Sequence, residues 1–235
     1  MVQLTPQHPY LTLRLKFKKV GSLQYISHLD LVRTMSKIIT RAKLPLWYTE
    51  GFNPKPKMIF AAPLSIGTES VCEFLDIRLI DDVPAEEVKA RLNANMTDEM
   101  QVIEAYYTED KLTDLKWLSY SIDIKTDGAS DELARTCENA LLKDKVLITK
   151  KAKPREEAPV IDIRPLIKSV QVSCNGDTLH LDAVLSADAS SFLNPEYVVK
   201  ALKSECNILS NPDLTQEYYS IMRTHAYKSD MSEFR

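Results

Sequence analysis

A chain of 235 residues is long enough for one large or two small domains, each burying its own core, which excludes a mini-protein held together by metal or disulfides. Its 44% hydrophobic and 27% charged residues match ordinary globular composition, so neither a disordered nor a fibrous class fits. The net charge of −3 hides an asymmetry: residues 1–70 carry +7 and the remaining 165 carry −10, so the basic segment points either to an anionic partner or to attraction between the two halves.

The elements follow in chain order. Met1–Tyr10 holds two prolines and no apolar core after a basic start, so no secretion signal is expected and the compartment is read as cytoplasmic. Leu11–Val20 alternates apolar Leu11, Leu13, Leu15 and Phe17 with Thr12, Arg14, Lys16 and Lys18, the period of a half-buried strand whose polar face is a row of cations. Ser27 and Asp30 form a variant of the capping box and predict a helix to about Lys43, stopped by Pro45. Leu31, Met35, Ile38 and Ala42 make its buried stripe, while Arg33, Lys37 and Arg41 recur every four residues on another face. A short strand at Leu46–Thr49 leads into Gly51-Phe-Asn-Pro-Lys-Pro-Lys57, an extended loop stiffened by prolines. The best apolar run, Met58–Leu64, is far too short to cross a bilayer, so no membrane partner is expected. Val71–Ile80 reads as a strand, Ala85–Asn95 as a helix opened by Pro84, and Met100–Tyr107 as a strand.

The order strand, helix, strand, strand, helix, strand is the split βαβ or ferredoxin-like pattern. Trp117–Lys125, Ser130–Leu142, Lys145–Thr149, Val170–Asn175 with Thr178–Leu185, Pro195–Ser204 and Glu217–Tyr227 repeat it, with a strand-like insertion at Val160–Ile167. The expected fold class is α+β: two ferredoxin-like (βαββαβ) domains in tandem, antiparallel sheets with helices on one face. A basic domain over 1–107 and an acidic one over 117–235 flank a linker at 108–116. A cleft between them, bordered by the basic strand and helix faces, would make a groove.

Cys72, Cys137, Cys174 and Cys206 lie far apart in sequence, without the grouping that holds zinc or an iron–sulfur cluster. The five glycines form neither a dinucleotide nor a triphosphate fingerprint, so no cofactor is expected. The loop Gly51–Lys57 joins Phe52 and Asn53 to Lys55 and Lys57. Rings that stack on bases beside ammonium groups that meet phosphates suit single-stranded RNA, unless Phe52 tucks into the core and the lysines are merely solvated. His28, at the first helical position, is either a packed structural residue or a general base, with Tyr25 or Lys57 as proton donor and Arg33 as phosphate holder. Asp162-Ile-Arg-Pro165, Arg223 and His225 read as ordinary surface positions on strands.

The string Tyr25-Ile-Ser-His-Leu-Asp-Leu-Val-Arg33, then Arg41-Ala-Lys-Leu-Pro45, Tyr48-Thr-Glu-Gly-Phe-Asn-Pro54 and Pro63-Leu-Ser-Ile-Gly67, with Ser70 and Glu73, resembles the bacterial radical-SAM-linked protein family. The likeness is specific over residues 11–80 and looser beyond, where Asp162-Ile-Arg-Pro165 is the best anchor. It implies a radical SAM enzyme as partner and work on RNA or a ribosomal particle, with no reaction established. Where the family has Gly-Phe-Asn-Pro-His-Pro-Lys, this chain carries Lys55 at the histidine position, which weakens a two-histidine site with His28 and leaves anion binding intact. The expected function is a non-catalytic RNA-binding module using Lys16, Lys18, Arg33, Lys37, Arg41, Phe52, Asn53, Lys55 and Lys57. The alternatives are a metal-independent ribonuclease with His28 as base and a protein-interaction scaffold for the radical SAM partner.

Overall fold

The computed structural model describes residues 10–150, 158–213 and 215–235. The N-terminal stretch expected to lack a secretion signal lies, up to residue 9, outside the described residues. The chain divides into two compact units, Met1–Leu112 and Thr113–Arg235.

In the first unit, strand β1 (Leu11–Lys19) is followed by α1 (His28–Arg41), β2 (Met58–Phe60), β3 (Thr68–Leu79), α2 (Ala85–Asn93) and β4 (Met100–Tyr107). Within the unit the strands lie in the order β4-β1-β3-β2, every pair antiparallel. Leu13, Leu15 and Phe17 of β1 share one buried cluster with Leu75, Ile77 and Leu79 of β3, Leu31, Met35, Ile38 and Ile39 of α1, and Val88 and Leu92 of α2, so both helices cover the same sheet face. Each such side chain, fully buried, contributes about 1.5–3 kcal/mol. Helix α1 begins where Ser27 Oγ accepts from the Asp30 N–H at 3.2 Å and donates to the Asp30 carboxylate at 2.7 Å. Its end comes at Arg41, two residues earlier than expected, because Lys43 takes a left-handed backbone (φ 52°) that no helix continues through.

The second unit runs β5 (Trp117–Lys125), α3 (Asp131–Leu142), β6 (Leu147–Thr149), β7 (Val160–Asp162), β8 (Ile167–Asn175), β9 (Thr178–Ser186), α4 (Glu196–Cys206) and β10 (Tyr218–Tyr227). Its sheet order is β10-β5-β9-β8, again antiparallel throughout, while β6 and β7 pair only with each other. The segment expected as the second core strand, Lys145–Thr149, therefore belongs to the insertion, and β8 takes the sheet position. Gly176, at φ 63°, makes the tight turn between β8 and β9. Each unit is thus a mixed α+β layer pair: an antiparallel sheet with two helices. Among the described residues no helix is long and apolar enough to cross a membrane.

Two expectations change here. The strand expected at Leu46–Thr49 forms only isolated bridges, Leu46 with Leu79 and Tyr48 with Pro56, and the strand proper is Met58–Phe60. The expected basic character of the first domain also disappears: Met1–Leu112 holds fourteen Lys/Arg and fourteen Asp/Glu, because the segment from β3 to β4 supplies the acids that residues 1–70 lack.

Candidate functional site

Residues 47–57, which include the loop Gly51–Lys57, fold as a short hairpin that leaves the sheet at the β2 edge. Its outgoing arm is tied to β3 by Trp47 N–H donating to the Arg78 carbonyl (2.9 Å), and its two arms are closed by Lys57 N–H to the Trp47 carbonyl (3.2 Å) and Thr49 N–H to the Lys55 carbonyl (2.9 Å). Lys55 N–H also donates to Thr49 Oγ1 at 3.1 Å. Gly51 at the tip has φ 131°, a conformation L side chains rarely adopt, and Pro54 and Pro56 stiffen the return arm. This frame holds the Phe52 ring entirely in solvent, so it does not tuck into the core. Asn53 and Lys55 are exposed as well, and Lys57 is half-buried.

Helix α1 presents Arg33, Lys37 and Arg41 as an exposed stripe. The only carboxylate given to the stripe among the described residues is Asp30, 3.4 Å from the Arg33 guanidinium. Asp30 is held below its ordinary pKa, first by the Ser27 hydroxyl and then by Arg33. Exposed pairs of this kind are weak, so Arg33 remains able to exchange partners.

His28 is exposed at the first position of α1 with its ring edge-on to Phe60, centroids 5.2 Å apart. Phe60 in turn packs edge-on against Phe17, so His28 links the helix start to β2. Among the described residues no hydrogen bond or ion pair joins His28 to the exposed Tyr25 or to Arg33.

The cations of β1 follow a different course. Arg14 is fully buried and donates to both oxygens of Asp76, at 2.7 and 3.0 Å, and to the Asp110 carbonyl at 2.8 Å. Lys16 lies 3.3 Å from Glu104. Arg14 faces Asp76 and Lys16 faces Glu104 in the strand register, so the pairing follows from the sheet itself. A bulge between Phe17 and Lys19 breaks the alternation, and Lys19 turns inward to donate to the Leu23 carbonyl at 3.0 Å. Lys18 is half-buried. Because Leu13, Leu15 and Phe17 occupy the helix-covered face, Arg14 and Lys16 point to the other. Of the expected row of cations, Arg14 and Lys16 are ion-paired, and within this unit these two lie on the far side of the sheet from Arg33, Lys37 and Arg41.

In the second unit Arg223, expected at the surface, is buried and donates to the Tyr120 hydroxyl at 3.2 Å. His225 is exposed and stacks on Tyr227, while Asp162 accepts from the N–H groups of Val146 and Arg164, a structural role that lowers its pKa. Two groupings escape the sequence pattern. Asp123 faces His180 across β5 and β9, 2.6 Å from its Nδ1, with Asp182 at 3.6 Å from Nε2; Asp123 and His180 line a hollow of about 440 Å³ with Lys125 and Tyr218. The Asp123 hydrogen bond raises the His180 pKa, against its partial burial. The other grouping is Tyr10, Trp47 and Arg78, whose rings and guanidinium meet at the root of the hairpin. Only strand register could have revealed either. Among the described residues no cluster of His, Cys, Asp or Glu has the grouping of a metal site.

Residues 12–195, which include the hairpin and α1, match the sequence model of a family described as an uncharacterized protein conserved in bacteria, DUF2344. The chain belongs to this family. No curated protein matches it. Among solved structures, a chain in the crystal structure of a Cbf5-Nop10-Gar1 complex is similar with a TM-score of 0.51 at 8% identity, over 93% of this chain and 50% of that one. A chain of an H/ACA RNP bound to a substrate RNA containing 2′-deoxyuridine gives a TM-score of 0.46 at 9% identity, over 95% and 49%. The family member described here thus spans about half the length of the solved chains it matches. At such identity the first likeness is one of fold alone.

Proposed function

We propose that this chain is a non-catalytic RNA-binding accessory module that works with a radical SAM enzyme on RNA or a ribosomal particle. The observation that carries the RNA reading is the Phe52 ring, held in water at the tip of a backbone-closed hairpin with Lys55 and Lys57 on its return arm. An apolar ring kept exposed by a rigid frame gains about 1.5–3 kcal/mol on being covered, and a base laid on it supplies that cover while its phosphates meet the ammonium groups. The exposed stripe Arg33, Lys37 and Arg41 adds phosphate contacts on the same unit. In both units the strand orders, β4-β1-β3-β2 and β10-β5-β9-β8 with two helices each, support reading them as ferredoxin-like. The radical SAM partner rests on the sequence resemblance over residues 11–80.

The decisive measurement is RNA affinity of the full chain as a function of salt. Affinity should fall steeply as salt rises, with Phe52→Ala weakening it about tenfold at constant salt while circular dichroism stays unchanged. Binding indifferent to both ionic strength and Phe52 would refute the reading. Co-purification of a radical SAM enzyme that survives nuclease treatment tests the partner separately.

A further inference from the structure

We infer that unpaired bases of a single-stranded RNA stack on a second platform, formed by Tyr10, Arg78 and Trp47, that continues the hairpin onto the face of the first sheet away from α1 and α2. This rests on the RNA reading above and deepens it by naming the substrate class: strands with splayed-out bases rather than duplex.

Three observations lead there. The Arg78 guanidinium carbon lies 4.0 Å above the centre of the Tyr10 ring and 5.5 Å from that of Trp47, and the two ring centroids are 5.9 Å apart. A delocalised cation lying over one aromatic ring and beside a second, tilted from it by 46°, offers π faces of the kind that accept bases without reading their sequence. Secondly, this surface meets solvent: Tyr10 is exposed, while Trp47 and Arg78 are half-buried. Arg78 alternates along β3 with the buried Ile77 and Leu79, which places it on the face away from α1 and α2.

The hairpin register supplies the third. Tyr48 bridges Pro56, so Trp47 stands opposite Lys57 and Thr49 opposite Lys55. Side chains directly opposite share a face and alternate residues return to it, hence Trp47, Lys57, Thr49 and Lys55 project from one side of the hairpin. That side carries two ammonium groups in line with the platform, with Phe52 at the far end. A backbone lying along it meets cations at phosphate level, and its bases find rings at both ends. Duplex RNA, whose base faces are already stacked, has nothing to offer such rings. An acidic peptide would use the lysines and ignore the rings.

The test compares a short oligouridylate, an abasic ribose-phosphate strand of equal length and an RNA hairpin, each binding the full chain, with Trp117→Phe leaving Trp47 as the sole tryptophan, excited selectively over tyrosine. The oligouridylate should bind about a hundredfold more tightly than the abasic strand, about tenfold each from Phe52 and the platform, and quench Trp47 fluorescence. Arg78→Lys, which keeps the charge but removes the planar stack, should reduce that ratio about tenfold with the salt dependence unchanged. Tyr10→Leu should do the same and guards against a folding artefact at Trp47. If Arg78→Lys leaves the ratio intact while Phe52→Ala still lowers it, the platform is refuted and the RNA reading stands; if the abasic strand binds as well as the oligouridylate, both stacking surfaces are refuted. If none of the three strands binds, both fall.

Discussion

The guanidinium of Arg14 sits where water does not reach, and its bidentate contact with Asp76 fills the place that a sequence reader would give to a free surface cation. Removing one partner of a buried pair leaves the other charge uncompensated, which costs about 3–5 kcal/mol, whereas exchanging both for apolar residues of like volume is often neutral. Asp76→Ala should therefore lose about 3–5 kcal/mol in chemical denaturation, and Arg14→Met with Asp76→Leu should recover most of it; a near-neutral Asp76→Ala would contradict this account. His180 gives a prediction in pH. Its folded pKa is raised by Asp123 above the ordinary histidine value of about 6.5, so the pair's contribution is complete below that pH and is lost as pH rises through the folded value. NMR titration should place the imidazole above its free value in the wild type and lower in Asp123→Asn, and the stability gap between the two proteins should narrow at alkaline pH. An unchanged titration in Asp123→Asn would remove Asp123 as the cause.

Helix α1 was legible to its cap and its apolar stripe because both are local: Ser27, Asp30 and the three-to-four spacing of Leu31, Met35 and Ile38 need no distant partner. The strand that follows was not. Leu46–Thr49 has strand composition, but its arm turns back on Lys55–Lys57 as a hairpin, leaving the short Met58–Phe60 to pair with β3. Prolines marked the turn without marking which flank would reach the sheet. At this scale the exposed stripe makes its own prediction. Changing Arg33, Lys37 and Arg41 together to glutamine should weaken every RNA alike and flatten the logarithmic salt slope by about 2, since each lost single-strand phosphate contact is worth about 0.7. A slope identical to wild type would exclude the stripe from the interface.

Charge along the whole chain is segregated by position in sequence rather than by folded unit. Residues 1–70 carry +7 and residues 71–112 carry −7, and the first unit joins them into a neutral body. Pairs such as Arg14 with Asp76 and Lys16 with Glu104 are that cancellation made local. On the proposed reading, attraction for a polyanion comes from particular places, the outer face of α1 and the return arm of the hairpin, and not from a uniformly basic domain. Ultraviolet crosslinking of RNA to the intact chain, read by mass spectrometry, should place adducts on aromatic residues of the first unit, Phe52 foremost. Adducts confined to residues after Thr113 would overturn the assignment.

What the sequence determined unaided is what depends on neighbours a few residues away: the α+β order of elements, the cap at Ser27, the apolar faces of strands and helices, and the stiffness of the loop at Gly51–Lys57. Whether a charge is free, and which side of a sheet it serves, depends on strand register and on which face the helices cover. Those are decided by contacts between segments tens of residues apart, as when Asp76 arrives opposite Arg14 or Arg78 comes to rest against Tyr10 and Trp47. Tertiary structure alone could make that choice, because side-chain alternation states that a residue faces one way or the other but not what waits on either side.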